Sequence, residues 1–280
     1  MLRSVGAVRA LGLADVDHAL EICAQDPISN VFVAARIIDS GLAGNRGPLF
    51  GYGVAGEEAL CWCAANVVPV EANSRALGAL AAKVAKRRTW ASSLFGPADQ
   101  VLDLWGRLAK SWGPAREVRE NQLVMTMTAP PTSLGMAIDP TVRPAIPAEL
   151  DLVVPAAAAM FTEEIGYAPY QGSGLSYRRS VADLISSGRS LIRVEDGKVV
   201  FKADLGSVAL GVAQIQGVWV HPAWRGQGLA APAMAAVVEH TLAHVAPTVT
   251  LYVNDFNAAA IATYRRVGFV QTGTFATVLL

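Results

Sequence analysis

Apolar positions in the second half of the chain switch between two periods. Ala156, Met160 and Ile165 follow Pro155 at helical spacing, which predicts a helix with the proline in its first turn. Val181, Leu184 and Ile185 follow Ser176, an expected N-cap, and Gly188 is the expected stop. Ser190–Glu195 and Val199–Asp204 read as strands about Asp196-Gly197, a pair suited to a tight hairpin. Ala213 and Ile215 alternate with Gln214 and Gln216 at a strand period, and Val218-Trp219-Val220 closes that strand. A long helix from about Leu229 to His244, a strand over Val249–Val253, a helix over Asn257–Val267 and a strand from Phe269 complete the half.

The first half repeats this order. Val16, Ala19, Leu20 and Cys23 predict a helix stopped by Asp26-Pro27, and Val31, Phe32, Ala35 and Ile38 predict a second one stopped by Gly41. Leu49–Val54 and Leu60–Ala65 read as a hairpin around Gly56. Leu77, Leu80, Ala81 and Val84 then make a helix and Trp90–Phe95 a strand. Val101, Leu102, Trp105 and Leu108 give a helix opened by Pro97, and Glu117–Thr128 a closing strand. The recurrence predicts a tandem duplication of one α/β module with a mixed sheet. Pro130, Pro131, Pro140, Pro144 and Pro147 crowd one segment, and proline restricts both itself and the residue before it. Residues 131–148 are therefore expected to link a module at 1–130 to one at 149–280.

Composition narrows the class. Of 280 residues, 52% are hydrophobic and 16% charged, which excludes a disordered chain. Twenty-three basic and 23 acidic residues balance to zero, so neither nucleic acid nor an anionic membrane is an expected partner through bulk charge. Leu205–Trp224 lacks Asp, Glu, Lys and Arg and reaches membrane-spanning length. Its glutamines, glycines, Pro222 and strand period instead predict buried sheet. Asp15 and Asp17 follow Arg3 and Arg9 before any apolar signal run, so no secretory leader is expected. Cys23, Cys61 and Cys63 form no disulfide framework, and the four histidines share no ligand spacing with them. A cytoplasmic protein without a metal is the expectation.

The local pattern richest in chemistry is Val218-Trp219-Val220-His221-Pro222-Ala223-Trp224-Arg225-Gly226-Gln227-Gly228-Leu229-Ala230. An apolar strand runs into a glycine-rich turn and then a helix. Glycines let successive N–H groups face one point, the helix N-terminus adds its own, and Arg225 can add a guanidinium; together they suit a pyrophosphate. Two glycines alone also fit an ordinary strand-to-helix turn. Arg225-x-x-Gly228-x-Ala230 after Val-x-Val-x-Pro resembles the acyl-CoA motif of the GCN5-related N-acetyltransferase (GNAT) superfamily. Asn254-Asp255-Phe256-Asn257, followed by Tyr264-Arg265-Arg266-Val267-Gly268-Phe269, resembles its later motif. The resemblance covers about Asp151–Leu280; the first half resembles the superfamily in element order alone.

The resemblance implies two GNAT-like acyl-CoA N-acyltransferase modules, the first degenerate. It implies acetyl transfer from acetyl-CoA to an amine, a small molecule or a protein lysine or N-terminus, by direct attack in a ternary complex. The pyrophosphate would lie on the N–H groups of Arg225, Gly226, Gln227, Gly228, Leu229 and Ala230, and the pantetheine arm along Val218, Trp219 and Val220. Asn254 or Asn257 would bond the pantetheine or adenylate portion, and Tyr264 would protonate the departing thiolate. Each has a plainer role: Tyr264 as core, Asn257 as a helix cap. Some relatives place a glutamate on the strand before the turn as proton acceptor, whereas Gln214 and Gln216 cannot serve. Glu163 and Glu164, at the end of the module's first helix, are the candidates instead. The glycine- and tyrosine-bearing segment Ile165–Gly174 suits a substrate loop.

In the first module the equivalent slot reads Val70-Glu71-Ala72-Asn73-Ser74, with no glycine turn, and Trp105 stands where Tyr264 would. That module is expected to shape the acceptor site or an oligomer contact. Two other classes stay open at this level. One is a non-catalytic acyl-CoA sensor or interaction module. The other is a dinucleotide-binding oxidoreductase, from the loose match Gly226-x-Gly228-x-x-Ala231 with Asp255 as ribose acid.

Overall fold

A computed structural model describes residues 7–42, 48–54 and 57–280. Arg3, which bears on the expected absence of a leader, and Gly56 of the first hairpin turn lie outside the described residues. The first repeat contains β1 (Ala7–Ala10), α1 (Val16–Cys23), α2 (Pro27–Ser40), β2 (Leu49–Val54), β3 (Glu57–Cys63) and β4 (Asn66–Val70). It continues through α3 (Ser74–Val84), β5 (Ser93–Pro97), α4 (Ala98–Trp112) and β6 (Glu117–Met127). The second contains β7 (Arg143–Pro144), α5 (Leu150–Ile165), α6 (Leu175–Ser186), β8 (Ser190–Glu195), β9 (Lys198–Ala209) and β10 (Val212–Val220). It closes with α7 (Ala230–His244), β11 (Thr248–Asn254), α8 (Ala258–Val267) and β12 (Val270–Leu279). The two lists match element for element. The short strand β4, unread in the sequence, is the counterpart of β10.

Several local signals act as expected. Asp26 caps α2, its Oδ1 accepting the Ser29 N–H at 3.1 Å with Pro27 at the first helical position. Asp196 and Gly197 both take positive φ, at 48° and 69°, and turn β8 into β9. Others differ. Pro155 sits inside α5 rather than opening it, because a 3-10 turn at Pro147–Glu149 starts the helical path earlier. Glu149 stabilises that start, its carboxylate accepting from the Ile146 N–H and from Arg143. Helix α6 begins one residue before Ser176, with Gly174 in a left-handed N-cap and no side-chain cap. Trp90 belongs to a 3-10 turn, not to β5. The charge-free Leu205–Trp224 stretch is the end of β9, a turn at Leu210-Gly211, all of β10 and the 3-10 turn Pro222–Trp224 after it. Among the described residues no helix is long and apolar enough to cross a membrane.

The chain divides into two compact units that are not contiguous in sequence. Unit 1 comprises Met1–Met125, Tyr252–Asn257 and Gln271–Leu280; unit 2 comprises Thr126–Leu251 and Ala258–Val270. This differs from a division at a proline linker in two respects. Residues 131–148 fold within unit 2: Pro131–Leu134 forms a 3-10 turn, Thr132 donates to Glu239 at 2.7 Å, and β7 pairs antiparallel with β8. The prolines set extended and turn geometry there without freeing the chain. The other difference is that β12, last strand of the second repeat, lies in unit 1. It pairs antiparallel with β5, from Phe275↔Pro97 to Leu279↔Ser93.

In unit 1 the strand order is β1-β2-β3-β4-β5-β12-β6. One face of this sheet carries α3 and α4, and Leu77, Leu80, Val84, Leu94, Leu104 and Leu108 pack there with Ala276 and Val278 of β12. Cys61 and Cys63 share a face of β3, their sulfurs 3.5 Å apart and fully buried. In unit 2 the order is β11-β10-β9-β8-β7. Val153, Ala156 and Ala157 of α5 and Val181 and Ile185 of α6 pack against Ile192, Val199 and Trp219 of the sheet.

Candidate functional site

Unit 2 holds most of the chemistry expected from the sequence. Strand β10 pairs with β9 through Gln216↔Asp204 and Trp219↔Lys202, and an extra residue at Gly217-Val218 makes a bulge. Gly217 has φ +60°, and a Cβ there would stand 3.1–3.3 Å from Met160, Asp204 and Lys202. On its other side β10 pairs in parallel with β11 only from Val212↔Thr248 to Gln214↔Thr250. Beyond Gln214 the strand makes no further ladder with β11 among the described residues, and the Val220 carbonyl accepts from Arg225 Nε.

The chain then turns. His221 Nδ1 accepts the Ala223 N–H at 3.2 Å, and the Gln227 amide donates to the Ala223 carbonyl at 2.9 Å, so His221 and Gln227 shape the turn. Gly226 and Gly228 take φ of +74° and +80°, and the positions their Cβ atoms would occupy face open space. Helix α7 starts at Ala230 with no side-chain cap. Among the described residues, the N–H groups of Gly226, Gln227, Gly228 and Leu229 donate to no protein group. This turn fits an anion with several oxygens: left-handed glycines, unbonded donors and a positive helix end at one place. The 3-10 turn Pro222–Trp224 separates the strand from the glycines, unlike a dinucleotide fingerprint, where the turn follows at once.

Arg225 and Glu163 meet beside the turn. Arg225 Nη2 donates to Glu163 Oε2 at 2.7 Å, and Arg225 Nε donates to the Val220 carbonyl at 2.9 Å. The Trp219 indole donates to Glu163 Oε1 at 3.1 Å. Glu163 thus ties the end of α5 to both β10 and the turn, although it and Arg225 stay about half exposed, 46% and 47%. It also lines an open depression with Ala158, Ala159, Thr162, Ala168, Pro169 and Tyr170. Aromatic rings close ranks beside it: Phe161 lies 5.8 Å from Tyr167 and 6.5 Å from Tyr177, and Tyr170 lies 5.4 Å from Tyr177.

Tyr264 is buried on α8, its ring 5.9 Å from that of Phe269. Burial, and then the negative charge of Glu164, push its phenol well above the usual value near 10, so it stays protonated. The two neighbouring glutamates therefore serve different surroundings, Glu163 the turn and Glu164 the phenol. Asn254 and Asn257 belong to unit 1. There Asn254 Oδ1 accepts from Gln122 at 2.8 Å, and Thr277 donates to Gln122 Oε1 at 2.6 Å, a buried polar chain.

One group went unread in the sequence. Lys202 and Asp204 form an ion pair inside unit 2, their side chains 1% and 7% exposed, and Ser190 donates to Asp204 Oδ1 at 2.8 Å. Burial, then the Asp204 charge and then Tyr170, push the nearby Tyr177 phenol up to about 12. The signal was available: Lys-x-Asp at strand spacing inside the apolar run Val199–Leu205 puts both charges on one face.

The equivalent slot in unit 1 is filled by its own side chains. Glu71 takes φ +50° and accepts from Asn30 at 2.8 Å. The Ala72 N–H donates to Gln100 at 3.0 Å, and Asn73 caps α3 by accepting the Ala76 N–H at 2.9 Å. Trp105 packs against the unit 1 core.

The acetyltransferase (GNAT) family model matches residues 159–269, and a domain of unknown function, DUF4081, matches residues 47–153. Comparison with curated protein sequences gave no match. Among solved structures, a GCN5-related N-acetyltransferase from Sphaerobacter thermophilus is similar at 18% identity and TM-score 0.62, over 99% of this chain and 96% of that one. A GNAT-family acetyltransferase from Colwellia psychrerythraea is similar at 15% identity and TM-score 0.59, over 98% and 99%. A tandem GNAT protein from the clavulanic acid biosynthesis pathway is similar at 15% and 0.57, over 97% and 98%. Residues 159–269 therefore form a domain of the acetyltransferase (GNAT) family, in a chain with the tandem GNAT fold.

Proposed function

We propose that the chain is a cytoplasmic N-acetyltransferase whose second repeat transfers an acetyl group from acetyl-CoA to an amine. The observation that carries this reading is the Gly226–Leu229 turn, with its unbonded N–H groups and open glycines, inside a GNAT-family domain. Arg225 and the N–H groups from Gly226 to Ala230 bind the pyrophosphate, and the stretch Val218–Val220 pairs with the pantetheine amides. Acetyl-CoA, when bound, supplies an activated thioester carbonyl.

The rest is done by the chain's own side chains. A main-chain N–H near Val220 stabilises the charge that develops on the acetyl oxygen. Tyr264 is held protonated by its surroundings and donates to the leaving sulfur. Glu163 or Glu164 accepts the proton of the attacking amine. The acceptor lies against α5 and the segment after it. The first repeat binds no acetyl-CoA, since its slot is closed by Glu71, Gln100 and Asn73.

The test pairs calorimetry with a free-thiol assay on the full chain. One acetyl-CoA per chain and CoA release with one or more amines of a panel are expected. Two per chain would contradict the closed first slot, and no binding would overturn the reading. Gln214 and Gln216 on β10 favour a second reading, an acyl-CoA sensor, and binding without turnover across the panel would select it.

A further inference from the structure

Glu163 faces two ways. Both of its carboxylate oxygens are engaged, one by the Trp219 indole and one by Arg225. Yet it is also the one charged residue lining the depression formed by Ala158, Ala159, Thr162, Ala168, Pro169 and Tyr170. Its partner Arg225 immediately precedes the glycines whose N–H groups face an anion site, and Arg225 Nε is held on the Val220 carbonyl of β10. So the guanidinium nearest the anion site is tied down by a carboxylate that belongs to the neighbouring depression.

A pyrophosphate at the turn carries more negative charge than one carboxylate and accepts a guanidinium in the same forked geometry. It competes with Glu163 for Arg225. When it wins, Glu163 keeps the Trp219 hydrogen bond and loses its counter-charge while still facing the depression. An anionic carboxylate without a cation takes another cation if one is offered. The depression offers alanines and an aromatic ring to an apolar body, and no Lys or Arg occurs from Glu163 to Tyr177 to repel a positive head.

Resting on the acyltransferase reading, we propose that Glu163 is a shared carboxylate. It holds Arg225 while the turn is empty and binds the ammonium of an amine with an apolar body once CoA has drawn Arg225 away. Coupling of this kind is reciprocal: the donor raises affinity for the amine, and the amine raises affinity for the donor.

The experiment measures CoA affinity by calorimetry for the wild-type chain, E163Q, R225Q and the double variant. E163Q keeps an oxygen for Trp219 and removes the charge that restrains Arg225. A half-exposed ion pair is worth about two- to fivefold in affinity. E163Q is therefore expected to bind CoA about two- to fivefold more tightly, R225Q more weakly, and E163Q is expected to have no effect in the R225Q background. A merely structural role for Glu163 would not make its effect depend on Arg225. Phenethylamine, with phenethyl alcohol as its uncharged control, is then titrated with and without saturating CoA. CoA is expected to tighten the amine alone, and E163Q to remove that gain.

CoA binding by the wild type with unchanged or weaker affinity in E163Q would overturn the shared-carboxylate role. Absence of amine binding to the CoA complex, or equal binding of the alcohol, would overturn the assignment of a cationic acceptor. Failure of the wild type to bind CoA would overturn the acyltransferase reading and this inference together.

Discussion

Gly228 gives the most direct test of the turn. At φ +80° it lies where an L side chain costs about 1–2 kcal/mol, and nothing stands within 4 Å of a Cβ built there. Gly228→Ala carries the backbone strain with almost no added volume. Gly228→Trp carries the same strain and fills the space above the N–H groups. Both variants are expected to lose about 1–2 kcal/mol, a shift of about 2–4 °C in Tm per kcal/mol for a domain of this order of size. Their ligand affinities should separate widely. Hydrogen bonds to a charged group are worth about 1.5–3 kcal/mol each, so displacing two N–H contacts costs the Trp variant about 3–6 kcal/mol, or about 10²–10⁴-fold in CoA affinity. The Ala variant should stay within about tenfold of the wild type. Thermal melts read the first quantity and calorimetry with CoA the second. If Gly228→Trp binds CoA as well as Gly228→Ala does, the phosphates do not lie over Gly228.

Other expectations follow from the same geometry. Tyr264→Phe should lower turnover by about 10²–10⁴-fold with little change in CoA affinity; equal loss in both would mean a packing role. Because the folded-state pKa of Tyr264 is raised, its contribution to stability is complete below about pH 10 and falls as pH climbs through and beyond the unfolded value, so alkaline unfolding curves of Tyr264→Phe should be flatter there. Lys202→Met leaves Asp204 buried without its cation and should cost about 3–5 kcal/mol in urea unfolding, whereas Lys202→Met with Asp204→Leu should recover most of that; equal costs would show that the charge is not the cause. Phe275→Ala, at 2% exposure, should cost about 3–5 kcal/mol and lower amide protection at Ser93–Gly96 of the paired strand β5 before it affects β8 and β9 of unit 2.

What the sequence revealed was local. Asp196-Gly197 specifies a hairpin through its own backbone preferences, and Val-x-Val-x-Pro running into Arg225-x-x-Gly228-x-Ala230 specifies a strand, a turn and a helix through residue types that have few other uses in that order. The repeat was visible because two helices, a hairpin, a helix, a strand, a helix and a strand recur in that order in both halves. Non-local pairings were hidden. Nothing in Gln271–Leu280 states that its partner is β5, because an alternating strand looks the same beside any neighbour. The prolines of 131–148 disclosed backbone angles but not that Thr132 bonds Glu239 or that β7 pairs with β8. Glu163 was singled out by its place at a helix end, yet its partner Arg225 lies 62 residues on, and only the fold brings the two together.

The position of β12 bears on how the protein is made. Strand β5 is complete long before Phe275 and its neighbours are joined to the chain, and at about 5–20 residues per second the interval is about 10–35 s. Throughout it, the side of β5 that β12 will cover is an open strand edge, able to pair with any extended chain nearby. The first half therefore emerges from the ribosome as an unfinished sheet. Completing that sheet requires a contact of very large sequence separation, a kind of pairing that forms slowly because loop closure precedes its reward.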